Sequence, residues 1–229
     1  MTILLSAPLA KEQDAMRQAL QTLGHPATPA QFGAMTGWHI KSLRANLIVG
    51  GHGKVQYAIG TQHALFHMER ITGLICYGAA GGLADQVNIA DAVVATTTIE
   101  HDYTLRFTKR PPPRFDGHHE TIERLRQRPR TDSAFHVHFG PVASGDEDIV
   151  EAERAASLHQ QTQALAVAWE GAGGARVAAF NHLPYLELRG ITDTANNHAP
   201  VDFKQNLTQA ISHLAELIIP LCHAVGLEE

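Results

Sequence analysis

Short apolar runs, each followed by a longer stretch with helical spacing, recur along almost the whole chain. This alternation limits the fold more than any other feature. Residues 3–7 (Ile-Leu-Leu-Ser-Ala) read as a strand, and 10–23 as a helix that Gly24 and Pro26 terminate. Strands are expected at 38–43 and 46–49, a helix at 54–71 closed by Gly73, and a buried strand at 74–77 that runs into the glycine turn 78–82. The β-branched stretch 91–98 reads as a central strand, with further strands at 135–142, 164–169 and 185–192. Helices are expected near 120–127 and at 148–159 and 170–180, and a last one sets Leu207, Ile211, Leu214, Ile218 and Leu221 on one face. Residues 101–117 carry three consecutive prolines and read as a lid or substrate loop. The pattern predicts an α/β fold, a three-layer α/β/α arrangement around a central mixed, mostly parallel sheet, built as one domain over 1–229.

Composition narrows the partners. The 229 residues are 44% hydrophobic and 18% charged, enough for one substantial core. A net charge of -5 argues against a general nucleic-acid binder, which presents a basic face. Arg106, Lys109, Arg110 and Arg114, and then Arg124, Arg126, Arg128 and Arg130, read as a solvated loop and helix face. Cys76 and Cys222 both sit in apolar runs and read as buried thiols, which fits a reducing compartment. No apolar run approaches the roughly 20 residues that span a bilayer, and the first residues show no basic leader, so a cytoplasmic protein without membrane contact is expected.

In open α/β sheets, ligands bind beyond the carboxyl ends of the strands. Glu12 follows the first strand, the 78–82 turn follows the 74–77 strand, and Ser144-Gly145-Asp146 follows the strand ending at 142. Glu170 and Asp193 follow the next two. Three carboxylates and a glycine turn are thus expected at one end of the sheet. The run Gly50-Gly51-His52-Gly53-Lys54-Val55 lacks the third glycine of a dinucleotide fingerprint and the ending of a P-loop. Its backbone N–H groups suit either a structural turn or an anion or ribose hydroxyl. His63 and His67 have metal-helix spacing, but Ala64 stands where a metalloprotease carries its glutamate, and neither a metal nor an organic cofactor is expected.

Taken in order, these segments resemble the purine nucleoside phosphorylase/uridine phosphorylase superfamily. Tyr77-Gly78-Ala79-Ala80-Gly81-Gly82-Leu83 with Ala90-Asp91-Ala92-Val93-Val94 is similar to its glycine turn and following strand. With Glu12, Gly51–Val55, Ser144-Gly145-Asp146, Trp169-Glu170 and Arg189-Gly190-Ile191-Thr192-Asp193, the match extends to the 5′-methylthioadenosine/S-adenosylhomocysteine nucleosidases. The resemblance implies that Asp193 is the acid at purine N7, that Glu12 activates water, and that Glu170 holds the ribose 2′ and 3′ hydroxyls. It implies that Ala79 and Gly81 line the floor, that Ser144 joins the substrate contacts, and that the protein is a homodimer. The chemistry agrees, because an N-ribosyl bond breaks through an oxocarbenium-like sugar and the departing base needs a proton.

Water is favoured over phosphate as the nucleophile. Tyr77 rather than arginine precedes the glycine turn, and Glu12 would repel phosphate by about 4 kcal/mol per unit charge at roughly 4 Å and an effective dielectric of about 20. Arg44 or a partner's arginine would favour the phosphorylase alternative. Two departures from the family pattern bear on the substrate. Glu147-Asp148 stands where the nucleosidases carry an aromatic residue that stacks on adenine, and Ala168-Trp169-Glu170 stands where they carry Glu-Met-Glu. Trp169 either restores the stacking or shrinks the pocket. Asp148 either meets extra donors on the base or substituent, or faces solvent. The expectation is hydrolysis of a purine nucleoside, first of the methylthioadenosine or adenosylhomocysteine type and next of another 5′-modified or deoxy nucleoside, futalosine-type compounds included. A phosphorylase and a non-catalytic nucleoside binder are the alternatives.

Overall fold

The computed structural model describes residues 2–108, 110–128 and 134–225, so Lys109 and Arg130 of the basic clusters lie outside the described residues. In chain order the first elements are β1 (Thr2–Ala7), α1 (Ala10–Thr22), β2 (Thr28–Phe32), β3 (Met35–Ile40), β4 (Ala45–Val49), α2 (Lys54–Phe66) and β5 (Ile71–Gly82). Next come β6 (Ala92–Glu100), β7 (Arg114–Asp116), α3 (His119–Gln127), β8 (Val137–Ser144) and α4 (Ala152–Thr162). The chain closes with β9 (Ala166–Ala168), α5 (Gly171–Phe180), β10 (Tyr185–Asp193) and α6 (Ala199–Val225).

Strand β1 explains the layering. Successive strand side chains point to opposite faces, and here both faces are apolar. Ile3, Leu5 and Ala7 pack with Met16 and Leu20 of α1 and Ile211, Leu214 and Ile218 of α6. Leu4 packs on the other side with Tyr57 and Ala64 of α2 and Ala175 and Ala178 of α5. The sheet therefore lies between two helical layers, as the alternation predicts. Its centre is parallel: β4 pairs with β1, β1 with β5, and β5 with β10. Antiparallel β2 and β3 extend one edge. At the other side the sheet curls, because β10 pairs with β6, β6 with β8, β8 with β9, and β9 back with β5.

Several local readings change. The helix expected over 54–71 stops at Phe66, since Ile71 already pairs with Thr2 in the sheet. Val55 and Ile59 on that helix face outward instead of into the core. Residues 78–82 form strand rather than a turn: Gly78 pairs with Arg189, Ala79 with Gly190, and Gly81 with both Asp193 and Val167. The 38–43 strand ends at Ile40, and a 3-10 turn (Lys41–Leu43) follows, closed by Arg44 in the left-handed region. Residues 148–151 are not helical, and α4 starts at Ala152. Arg124 and Arg126 lie on the solvated face of α3, paired with Glu120 and Glu123. Among the described residues, no helix is long and apolar enough to cross a membrane.

Candidate functional site

Beyond the carboxyl ends of β1, β5, β9 and β10 lies a cavity of about 330 Å³ whose walls include Glu12, Glu170 and Asp193. The three carboxylates expected at the strand ends therefore share one space. Ala79, Gly81, Asp148 and Trp169 line the same cavity, whereas Ser144 does not. The Ser144 hydroxyl lies one layer behind. It donates to the Trp169 carbonyl at 2.7 Å and accepts from the Ala172 N–H at 2.9 Å, which fixes the bend carrying Trp169 and Glu170 into α5.

Each acid is held by the backbone around it. Glu12 is the third residue of α1, and its Oε2 reaches back to accept from the Leu9 N–H at 2.9 Å, a helix-start bond that also aims the side chain. Its Oε1 accepts from the Ala79 N–H of β5 at 2.8 Å. Burial pushes its carboxyl up to about 7, opposed by the Ala79 N–H and reinforced by the charge of Glu170. Asp193 ends β10, with Oδ1 accepting from the Ala195 N–H at 3.0 Å and Oδ2 from the Thr192 hydroxyl at 2.8 Å. Burial raises its pKa against those two hydrogen bonds. Glu170 precedes α5; its Oε1 accepts from the Gly53 N–H at 3.1 Å and lies 3.2 Å from His52 Nδ1. Burial raises its pKa too, while Arg189, the Gly53 N–H and His52 pull it down.

The glycines of β5 are required by these carboxylates. A Cβ on Gly78 would stand 2.8 Å from Glu12 Oε1, and one on Gly81 would stand 2.8 Å from Asp193 Oδ1. The two small residues let the acids lie directly on the strand backbone.

Two groups at the site are absent from the sequence-derived set. Arg189 is fully buried in β10; its Nε donates to Glu187 Oε1 at 2.8 Å, and among the described residues its Nη1 has no partner. Its charge acts on both Glu12 and Glu170. The signal lay in the sequence: Glu187 and Arg189 share one face of an otherwise apolar strand, which demands a buried ion pair. His52 is the other. It lines the cavity and stacks on Trp169 with ring centroids 4.3 Å apart. Phe203 of α6 completes the apolar lining, with the Lys11 ammonium 4.0 Å from its ring centroid on the outer side.

The nitrogens of His63 and His67 are used internally. His63 Nε2 accepts from the Ala34 N–H at 3.0 Å, and His67 Nδ1 donates to the His63 carbonyl at 2.9 Å. Among the described residues no group of three or more His, Cys, Asp or Glu is placed to hold a metal ion. The cavity offers acids of raised pKa against a buried cation, an arrangement able to donate a proton at one end and accept one at the other.

Comparison with known proteins agrees in family and fold. The family model described as the phosphorylase superfamily matches residues 3–222. A 5′-methylthioadenosine/S-adenosylhomocysteine nucleosidase from Anoxybacillus flavithermus is 30% identical over 182 residues, covering 75% of this chain and 77% of that protein. The nucleosidase of the same description from Neisseria meningitidis, solved with methylthio-immucillin-A, superposes with a TM-score of 0.85 at 23% identity, covering 97% of this chain and 99% of that one. Futalosine hydrolase of Helicobacter pylori superposes with a TM-score of 0.81 at 20% identity, covering 98% and 97%. The chain belongs to the phosphorylase superfamily.

Proposed function

We propose that this protein hydrolyses the N-glycosidic bond of a purine nucleoside, with 5′-methylthioadenosine or S-adenosylhomocysteine as the first substrates to test. The observation that carries the reading is the meeting of Glu12, Glu170 and Asp193 around one cavity of nucleoside size. Asp193, its pKa raised by burial, protonates the base at N7 as the bond to C1′ lengthens. Glu12 takes a proton from the attacking water, and its charge stabilises the positive sugar carbon. Glu170, anchored by the Gly53 N–H, accepts from the 2′ and 3′ hydroxyls. Trp169 offers a stacking face, and Asp148 stands on the cavity wall as an acceptor for donors on the base.

Water rather than phosphate follows from charge. The residues lining the cavity include five carboxylates (Glu12, Glu147, Asp148, Glu170 and Asp193) and neither lysine nor arginine. Incubating purine nucleosides in phosphate-free buffer and following free base by chromatography tests this: base and free sugar are expected. Release only with added phosphate would make the protein a phosphorylase, and no release under either condition would make it a binder.

The active form is read as a homodimer. Val55, Ile59 and Phe66 of α2 and Phe180 of α5 stand exposed on two helices that pack against each other, an apolar surface suited to a second copy. Light scattering at micromolar protein is expected to give twice the chain mass. Cys76 and Cys222 are buried free thiols, which suits work in the cytoplasm.

A further inference from the structure

Two motif residues that take no part in the bond cleavage, Lys54 and Asp146, meet in a closed ring. The Lys54 N–H donates to Asp146 Oδ1 at 2.8 Å, and the Asp146 N–H donates to Asp102 Oδ2 at 2.9 Å. The Lys54 ammonium completes the ring on Asp102 Oδ1 and donates as well to Glu100 Oε1 at 3.0 Å. Each member belongs to a different segment: the start of α2, the turn after β6 and the loop after β8.

The ring does a job that the local sequence leaves undone. The residue before α2 is Gly53, which has no side chain to cap the helix, and its φ of 81° lies in the region that favours glycine. Asp146, in the loop after β8, supplies the cap, accepting the N–H of the first helical residue. The preceding N–H, that of Gly53, donates to Glu170 Oε1. One turn is thus held from behind by Asp146 and holds Glu170 in front. Helix α5 presses on it directly, since a Cβ on Gly173 would lie 2.5 Å from the Lys54 carbonyl oxygen.

We propose that Asp146 is a positioning residue: through its ring with Lys54 and Asp102 it fixes the Gly53 turn that aims Glu170 at the sugar, and so sets how strongly the site prefers ribose to 2′-deoxyribose. The proposal rests on the reading of Glu170 as the hydroxyl acceptor. It places the selectivity of the sugar site in a residue that touches no substrate.

The experiment compares kcat/KM for 5′-methylthioadenosine and its 2′-deoxy analogue in the wild type, Asp146→Ala, Asp146→Asn and Glu170→Ala. Glu170→Ala is expected to abolish the ribose preference. Asp146→Ala is expected to cut it about tenfold while the deoxy substrate keeps its rate within about threefold, because the deoxy substrate offers Glu170 one hydroxyl instead of two and loses less when Glu170 is misplaced. Asp146→Asn, whose amide oxygen accepts the same N–H, is expected to keep the preference within about twofold. An Asp146→Ala enzyme with the wild-type preference, beside a Glu170→Ala enzyme that has lost it, overturns the proposal. A Glu170→Ala enzyme that keeps the preference overturns the reading of Glu170 instead. Should Asp146→Ala fail to fold, Asp102→Ala opens the same ring, and an unchanged preference there overturns the proposal equally.

Discussion

On the floor of the cavity, both oxygens of Glu12 and both of Asp193 are engaged by neighbouring N–H or hydroxyl donors. On the outer wall, Asp148 is exposed, and among the described residues its carboxylate has no hydrogen bond or ion pair. Its neighbour Glu147 is held instead by Arg154 through two bonds of 2.8 and 2.6 Å. A group whose position is fixed by the backbone is set for chemistry, because it pays no reorganisation when charge develops. A group left free on a wall costs little to change and is where selectivity between ligands is tuned. The two regions should therefore respond differently to substitution: floor changes strike kcat, and wall changes strike KM and substrate choice.

The largest effect is expected at Asp193. Asp193→Asn keeps the shape and removes the acid, and base release is expected to fall about 10²–10⁴-fold. Affinity for an uncleaved nucleoside analogue should stay within about tenfold, measured by calorimetry, since the acid acts mainly in the transition state. Equal losses in rate and affinity would break the distinction between floor and wall.

Next comes Glu12, where the sign of the pH effect can be worked out. Its carboxyl titrates near 7 in the folded protein against an ordinary value of 4.5. With Glu12 in the proposed role of base, only its ionised form is competent, so kcat/KM is expected to rise as pH passes about 7, and Glu12→Gln should lose that limb along with about 10²-fold or more in rate. Between those two pKa values the folded chain retains a proton that the unfolded chain releases, so stability falls as pH rises through the window. The full cost above pH 7 is roughly 3 kcal/mol. Glu12→Gln should accordingly melt at a higher temperature than the wild type at pH 8 and at nearly the same temperature at pH 4. A variant destabilised at pH 8 would show that Glu12 serves the fold, not the reaction.

Trp169 stands between the two regions, stacked on His52 at the rim and adjoining Glu170 in sequence. Trp169→Ala is expected to raise KM about 5–20-fold, from the loss of roughly 1–2 kcal/mol of ring contact, with kcat changed less than about threefold. The smallest effect belongs to Asp148. Asp148→Asn should leave the melting temperature within about 2 °C and kcat within about twofold. It should shift the ratio of 6-amino to 6-oxo purine nucleosides by about three- to tenfold, as an acceptor-only group becomes one that also donates. An unchanged ratio would return Asp148 to the solvent-facing reading.

What the sequence disclosed follows the same division. Strand β1 and helix α1 were legible because their signals are local: a short run that is apolar but for Ser6, then helical spacing ended by Gly24 and Pro26. Residues 78–82 were not, since glycine and alanine carry no periodicity, and their extended form is imposed by pairing with β9 and β10. Strand β2 was missed for a related reason. It contains Pro29, is mostly exposed, and is held in place by β3 alone. Glu12, Glu170 and Asp193 could be found because strand ends converge in α/β folds, which is a rule of topology. His52 and Arg189 could not be found that way: one sits in the loop ahead of α2, away from any strand end on the floor, and the other lies inside a strand. Ser144 was placed one layer too far forward, because a strand end fixes where a residue lies but not which way its hydroxyl turns.

Whether Glu12, Glu170 and Asp193 address one sugar–base linkage is decided by the structure of this protein with a non-hydrolysable purine nucleoside analogue bound. The base N7 is expected within about 3 Å of Asp193, the sugar hydroxyls on Glu170, and an ordered water between Glu12 and the anomeric position. A ligand whose base points away from Asp193, or whose sugar lies out of reach of Glu170, would contradict it.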